Sequence, residues 1–496
     1  MKDEMQYRAT EDLIVLFWDK PEAARGQVSY RVVCNEEQEK RVEHSYCTWK
    51  GLSPETSYRF QVFWEGQMIY ALEARTRAAR TRLDVTECGA VGDGKTLNTR
   101  ALQQAVDACG PEQTLYFPAG VYLTGALDLH AHMDIFLAKD AVLQGTEDPA
   151  DYLPKIPSRF EGYERLCYRS LLNLGQMDHT KEAAFMDVTI RGAGTIYGGG
   201  RALREATEAV ETREIQAELD ALGDRIHDYE RPETLANRAR GRLINISNAS
   251  HVWIHGLTLG YGASWNVHFI YSDHIVTDAC TFRSDGVWNG DGWDPDSSTD
   301  CTIFNCTFYT EDDSVAIKSG KNPEGGIIGR PTKNIRIFDC TTPFGHGLCI
   351  GSEMSGGVEG VRIWDCEMGP TWSGIEVKAT KKRGGYVRDF VVRDCTTSHI
   401  MVHSVGYNDD GIGAPTPPLL SDMRFERIRL LGRFLDNNAG RNEWHDCPPI
   451  EVKGYDVPGY EVKNIVFNEI EVPEGAMENE LSLCENVTIH AKRPEV

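Results

Sequence analysis

The sequence is short of positive charge, of long apolar runs and of the cysteine spacings that hold metal. Its 496 residues carry 52 Lys and Arg against 75 Asp and Glu, a net charge of −23. Neutralising phosphates needs a basic face, so nucleic acid is not an expected partner. No apolar run approaches the roughly 20 residues that a membrane span requires, which argues against a membrane partner. The opening residues, MKDEMQYRATEDL, show neither the apolar core nor the small-residue cleavage site of an export signal. That reads as a cytoplasmic chain, secreted only if a leader has been lost. Fourteen cysteines are present, but none forms a CxxC pair, which argues against structural zinc. Free buried thiols in a reducing compartment are the expectation. The Gly-rich stretch CGAVGDGKT, from Cys88, lacks the GxxxxGK[ST] pattern of a phosphate loop. No cofactor and no metal is called for.

What is present begins with alternation. At this length two domains, or one elongated one, are expected. The runs LIVLFW, VSYRVV, YRFQVFW and MIYALEART alternate as half-buried strands do, with turn residues between them. GLSPETSYRFQV, Gly51 to Val62, resembles the tyrosine-corner signature of fibronectin type III domains, with Tyr58 at the corner and Trp18 as the core aromatic. A small β-sandwich is therefore expected over residues 5–80, ahead of a second domain over 81–496.

The second domain opens with one amphipathic helix. Asn98 or Thr99 can cap it, Leu102, Ala105, Val106 and Cys109 form its apolar face, and Gly110 ends it. Such a helix suits the open end of a sheet structure. From about 242 to 400 a repeat appears: SHVWIHGLTL, DHIVTDACTF, DCTIFNCTF, KNIRIFDCTT, EGVRIWDCEM and RDFVVRDCTT. Cys280, Cys306, Cys340, Cys366 and Cys395 hold one position, at steps of 26, 34, 26 and 29 residues. A constant strand pattern with unequal steps describes coils whose loops vary in length. The expected fold is all-β, a right-handed parallel β-helix with the cysteines stacked as an internal ladder of small hydrophobes. Residues 202–238 break the rhythm. Good helix formers, with apolar Val210, Ile215, Leu219, Leu222 and Ile226, predict a helical insertion on the β-helix flank or over one end of a cleft.

With the cysteines as a ruler, Asp291 lies 11 residues past its cysteine, Asp312 and Asp313 lie 6 and 7 past theirs, His346 lies 6 past and Lys378 lies 12 past. Coils stacked about 4.8 Å apart bring these five into one groove. Polar side chains at equivalent places in an apolar repeat are costly unless a site uses them. Three carboxylates with a histidine and a lysine suit glycoside hydrolysis, one carboxyl protonating the leaving oxygen and another activating water or attacking the sugar. Asp291 is the favoured base. Asp294 and Asp296 read as shaping the following turn, with Pro295 ending the strand.

These motifs carry a resemblance. Asn289 and Asp291 (NxD), the Asp312–Asp313 pair, Gly345-His346-Gly347 (GHG) and the segment ending in Lys378 match, in order, the four signatures of polygalacturonases of glycoside hydrolase family 28. The likeness runs from Cys88 through YFPAGVY and GAGTIYGGG to about Arg393. It implies a β-helix and an inverting, metal-free hydrolysis of α-linked galacturonate. Asp312 would be the general acid, Asp291 and Asp313 would hold the attacking water, and His346 would tune the acid. Lys378 would grip a substrate carboxylate, and Asn289 would join the polar network.

One position departs. Where the family has an arginine, this chain has Glu376. Either a nearby cation pairs with it, Lys381, Lys382 and Arg383 being the nearest in sequence, or the leaving-group sugar is neutral, such as rhamnose. Lys318, Lys321, Arg330 and Lys333 complete an expected basic strip. Trp265 and His268, in WNVH, and Tyr407 are further substrate-binding candidates. The expected partner is an oligogalacturonide or related pectic oligosaccharide, attacked from its end, with a rhamnogalacturonan fragment as the alternative. A calcium-dependent lyase on the same fold would use NGDGWDPD as a calcium loop, but would leave the GHG histidine and the DD pair without a task. A binding-only β-helix would not need three carboxylates. The oligomeric state is not legible.

Overall fold

The computed structural model describes residues 5–228, 235, 238–407, 409, 411–436 and 441–492. From Thr81 onward the chain winds as coils that each add a strand to parallel ladders. One ladder runs from Thr81–Asp84 to Cys484–Lys492, a second from Asp93–Leu97 to Arg429–Leu430, and a third from Leu127–Leu129 to Glu480–Ser482. Strand-to-parallel-strand crossovers in one sheet are right-handed, and the solenoid is a right-handed parallel β-helix. One continuous core of Leu, Ile, Val, Phe and Cys fills its interior.

The cysteine ladder is real, and the residue before each thiol explains it. Ala279, Asn305, Asp339, Asp365 and Asp394 all have φ between 50° and 54°. The chain turns a corner there in the left-handed conformation that Asn and Asp tolerate best. The next residue drops inward. Successive backbone bonds, such as Thr307 N to Cys280 O and Thr341 N to Cys306 O, stack Leu257, the five cysteines, Ile428 and Ile470 in one column. All fourteen cysteines are free thiols. The repeat is therefore longer than its cysteines reveal, because isoleucine or leucine takes the same slot at both ends.

The helix Thr99–Ala108 buries Leu102, Ala105 and Val106 and packs on Leu127–Leu129, the first strand of the third ladder. Asn98 precedes the helix without capping it; its amide instead bonds Val91 and Thr96. The insertion forms helices Gly200–Glu214 and Gln216–Leu222, and residues 229–234, 236 and 237 lie outside the described residues. Leu203, Thr207, Glu211 and Ile215, spaced four apart, are its buried stripe. Of the five apolar residues read from sequence, Ile215 alone is buried.

Ahead of the solenoid, Met5–Ala9, Leu13–Trp18 and Tyr46–Lys50 form one antiparallel sheet. Tyr30–Cys34, Gln38–Val42, Ser57–Trp64 and Gln67–Arg75 form another. Trp18 is buried between them. The first sheet turns Leu13, Val15 and Phe17 outward onto Trp253, Val276, Phe304, Phe338 and Trp364 on the outside of the β-helix. Phe304, Phe338 and Trp364 rise as stacked rings, 4.9 Å and 4.4 Å apart.

Candidate active site

The third ladder makes the floor of a cleft of about 560 Å³. Its strands read apolar residues inward, Val267, Trp293, Val315, Leu348 and Ile375 pairing in turn. The alternate residues point outward, so Asp296, Lys318 and Lys378 belong to its outer face. Just before each strand the chain turns into the cleft. Asp291 stands two residues ahead of Trp293, Asp313 two ahead of Val315 and His346 two ahead of Leu348. Bonds from Gly292 N to Asp313 O and from Ser314 N to Gly347 O hold these turns in register. The distances from the cysteines differed only because the loops between the second and third ladders differ in length. The GHG glycines follow from the same crowding. At Gly345 and Gly347, both with positive φ, a Cβ would meet Thr310 O and Gly374 O at 2.2 Å.

The side chains form a chain of opposite charges. His346 Nδ1 lies 3.0 Å from Asp312 Oδ1 and 3.6 Å from Asp313 Oδ1. Lys378 Nζ is 3.1 Å from Asp313 Oδ2 and 3.3 Å from Glu376 Oε2. Lys318 Nζ is 3.2 Å from Asp291 Oδ2 and 3.3 Å from Glu353 Oε2. His403 bridges Glu376, at 2.8 Å, and Glu451, at 2.9 Å. Cys349 Sγ donates to Asp313 Oδ1 at 2.9 Å. On the N-terminal side, Glu161 pairs with Arg238 at 2.6 Å. Asp291 Oδ1 and His346 Nε2, both in the cleft, are buried and have no hydrogen-bond partner among the described residues. Buried polar atoms are seldom left unpaired, so these two are the ones offered to a bound molecule.

The environments drive the carboxyls apart. Burial pushes Asp291 well above the usual range, and Asp312 and Asp313 add to the rise beyond what Lys318 offsets. Burial also acts on Asp313, but Lys378 and His346 outweigh it and hold that carboxyl down. Asp312 is likewise lowered, the His346 charge overcoming burial. His346 is itself raised to about 10 by the two aspartates, against burial. Glu376 falls to about 2 and His403 rises to about 9, each held by its charged partners against burial.

A family model for glycosyl hydrolases family 28 matches residues 186–408, the stretch that holds this cleft. A second, for rhamnogalacturonase A/epimerase, pectate lyase-like proteins, matches 83–135. A probable polygalacturonase of Vitis vinifera is 35% identical over 347 residues, covering 67% of this chain and 64% of that protein. Over the stretch that holds the cleft the chain is therefore similar to glycoside hydrolases of family 28, and it spans 64% of the length of the Vitis relative. An exo-poly-alpha-D-galacturonosidase of Dickeya chrysanthemi is 25% identical over 445 residues, 82% of this chain and 70% of that one. The structure of the Yersinia enterocolitica family 28 exopolygalacturonase superposes with a TM-score of 0.78 at 21% identity, over 99% of this chain and 96% of that chain. That likeness establishes the shared fold.

Within this cleft, Asp291, Asp312, Asp313, His346, Lys318, Glu376, Lys378, Asn289, Trp265 and Tyr407 all reach the lining. Asn289 accepts from Arg240 Nη2 at 2.7 Å, and Tyr407 stands 46% exposed at the mouth. Several expectations need correction. His268 is wholly enclosed, bonded to Asp296, and lowered to about 3 by burial, so it faces no ligand. Trp265 lines the cleft floor but is 2% exposed, its ring faces taken by Phe160 and the Lys318 ammonium. Pro295 does not end a strand: Trp293–Asp296 is one, pairing Phe269 with Pro295. Asp294 and Asp296 are therefore buried strand residues, Asp296 held by Arg159 at 2.7 Å. Asp313, held ionised by Lys378, stands beside Asp291 as a second candidate base.

The basic strip does not form. Arg383 is buried against Ser352 O and Asn322 Oδ1, Lys382 reaches Asp409 O, and Lys333 pairs with Glu359. The cations on Glu376 are Lys378 and His403 instead. His403 was missed because nothing marks it in sequence; its signal is the register that pairs it with Lys378. Glu353, Arg238, Trp288 and Trp372 also line the cleft from loops without a motif. Asp312, Asp313 and His346 have ligand atoms close enough to share a cation. An ion there would compete with the His346 and Lys378 charges already on those carboxylates.

Proposed function

We propose that the enzyme hydrolyses α-linked galacturonate from the end of pectin-derived oligosaccharides, with inversion. The observation that carries this is the meeting of Asp291, Asp312 and Asp313 in one cleft, with His346 Nδ1 3.0 Å from Asp312 and Lys378 Nζ 3.1 Å from Asp313, the carboxylates and proton donor that acid–base hydrolysis needs. In this mechanism the single proton held between His346 Nδ1 and Asp312 passes through Asp312 to the leaving oxygen as the glycosidic bond breaks, leaving His346 neutral and Asp312 ionised. Asp313, kept ionised by Lys378, takes a proton from the water whose oxygen bonds to the anomeric carbon. Asp291 and Asn289 orient that water and the sugar. End-on attack is supported by the walls at both sides of the cleft, Glu161 with Arg238 on one and Tyr407 on the other, and by the activity named for the Dickeya relative. Free thiols throughout support a reducing, cytoplasmic setting. The N-terminal unit is proposed as a fibronectin type III-like sandwich, supported by Ser53 N donating to Tyr58 Oη at 2.9 Å, as in a tyrosine corner.

One observation favours a second reading of the subsite. The cleft cations Lys318, Lys378, His346, His403 and Arg238 each already face a carboxylate. A neutral sugar beside Glu376 would lose no ion pair there, as in a rhamnogalacturonan fragment. Product analysis on digalacturonate, polygalacturonate and rhamnogalacturonan oligomers tests both. Monomer from the first turnover is expected, and a spread of oligomers would overturn the end-on reading.

A further inference from the structure

The N-terminal unit carries a groove far in chemistry from the rest of this acidic chain. It encloses about 620 Å³ and is lined by Arg25, Gln27, Arg31, Arg41, Phe63 and Trp64, with Glu65 at its rim. Residues 1–80 hold 12 Lys and Arg against 13 Asp and Glu, so this unit carries only one of the chain's 23 net negative charges. Within the sheet Arg31 stands directly opposite Arg41 on one neighbour and Phe63 on the other. Like charges opposite one another destabilise a sheet. The Arg31 guanidinium lies 4.0 Å over the Phe63 ring. Arg31 approaches Glu39 at 3.4 Å and Arg25 meets Glu469 at 2.8 Å, both as exposed contacts that solvent screens. Arg41 is exposed and makes no ion pair among the described residues.

We propose that this groove binds a polyuronate chain. Guanidinium forks recognise carboxylates in two-point fashion, and Phe63, beneath the Arg31 guanidinium, and Trp64 add aromatic surface to the groove wall for sugar C–H groups. The spacing of charge and ring across adjacent strands gives both to one chain. The groove belongs to the four-stranded sheet, whereas it is the three-stranded sheet that docks on the β-helix, so the groove is separate from the hydrolytic cleft. Holding the polymer there raises the local concentration of chain ends at the cleft without a new contact in it. The choice of a uronate among polyanions rests on the proposed reaction; the basic and aromatic character of the groove does not.

The test uses the full chain with Asp312→Asn, which leaves the probe intact, run through native gels containing polygalacturonate. Retardation is expected, with the apparent Kd weakened at least tenfold when Arg31→Gln and Arg41→Gln are added. In the otherwise unaltered enzyme the same two changes leave kcat/KM on digalacturonate unchanged, which also reports correct folding. Phe63→Ala, tested independently, is expected to weaken retardation too. Unchanged retardation in the double-arginine variant, no retardation of the parent, or equal retardation by polyglutamate each overturns the proposal. Retardation without any hydrolysis of galacturonides would overturn the proposed reaction and leave the groove standing.

Discussion

At the residue scale the site is a distribution of protons rather than a list of acids. Asp312 and His346 share one dissociable proton, and Asp313 is denied one by Lys378. Asp312→Asn is expected to lower kcat about 10²- to 10⁴-fold, the range general acid catalysis supplies, with KM little changed. Lys378→Met takes away the charge that holds Asp313 down, so the acid limb of kcat/KM moves to higher pH; an unmoved limb would place the base elsewhere. His403 has the opposite consequence, for stability. Its folded pKa of about 9 exceeds the unfolded value of 6.5, so its contribution is complete below about pH 6.5 and is lost as pH rises through 9. In His403→Gln that alkaline loss is expected to flatten in urea unfolding measured from pH 6 to about pH 10.

At the element scale the corner before each ladder thiol is the device that shapes a coil. Asn305 is exposed with φ 52°, so its value is conformational. Asn305→Val is expected to cost about 1–2 kcal/mol and Asn305→Gly much less, read from urea midpoints, since a β-branched residue is strained there. This corner is also where sequence reading succeeded and where it stopped. The Asp–Cys and Asn–Cys pairs were visible because two chemical rarities coincide at each corner, and they were enough to give the coils and the cleft side. Coils that put Ile428 or Ile470 in the slot were invisible, because isoleucine is too common to mark a register. His268 misled for a related reason. Its polarity signals a site, but only the structure shows which outward residues are covered by chain from elsewhere, here the earlier hairpin carrying Phe160 and Arg159, which holds the Asp296 bonded to His268. Glu353 comes from a loop whose length no period constrains, and His403, on the strand Ile400–Ser404, shows only through its register with Lys378.

At the scale of the whole molecule the N-terminal unit completes the solenoid. It covers the ring stack of Phe304, Phe338 and Trp364, and it is tied down by Lys20, wholly buried, which bridges Asp365 at 2.6 Å and Asp394 at 2.9 Å. Removing one partner of a buried pair costs about 3–5 kcal/mol. Lys20→Met is expected to lose about that much at pH 7.5 and less at pH 5. Asp365 is already raised to about 6 by burial despite Lys20, and at the lower pH it is protonated rather than left charged. Equal losses at the two pH values would show that the ammonium is not what offsets those carboxylates.

The claim on which the rest depends is that Asp312, Asp313 and His346 form a hydrolytic centre for galacturonides. The most direct measurement follows the products of trigalacturonate with the unaltered enzyme and with Asp312→Asn, in the presence and absence of a chelator. The account predicts saturated galacturonate monomer from the first turnover, insensitivity to the chelator, and near-complete loss in Asp312→Asn. Unsaturated, ultraviolet-absorbing products, or turnover unchanged by Asp312→Asn, would contradict it.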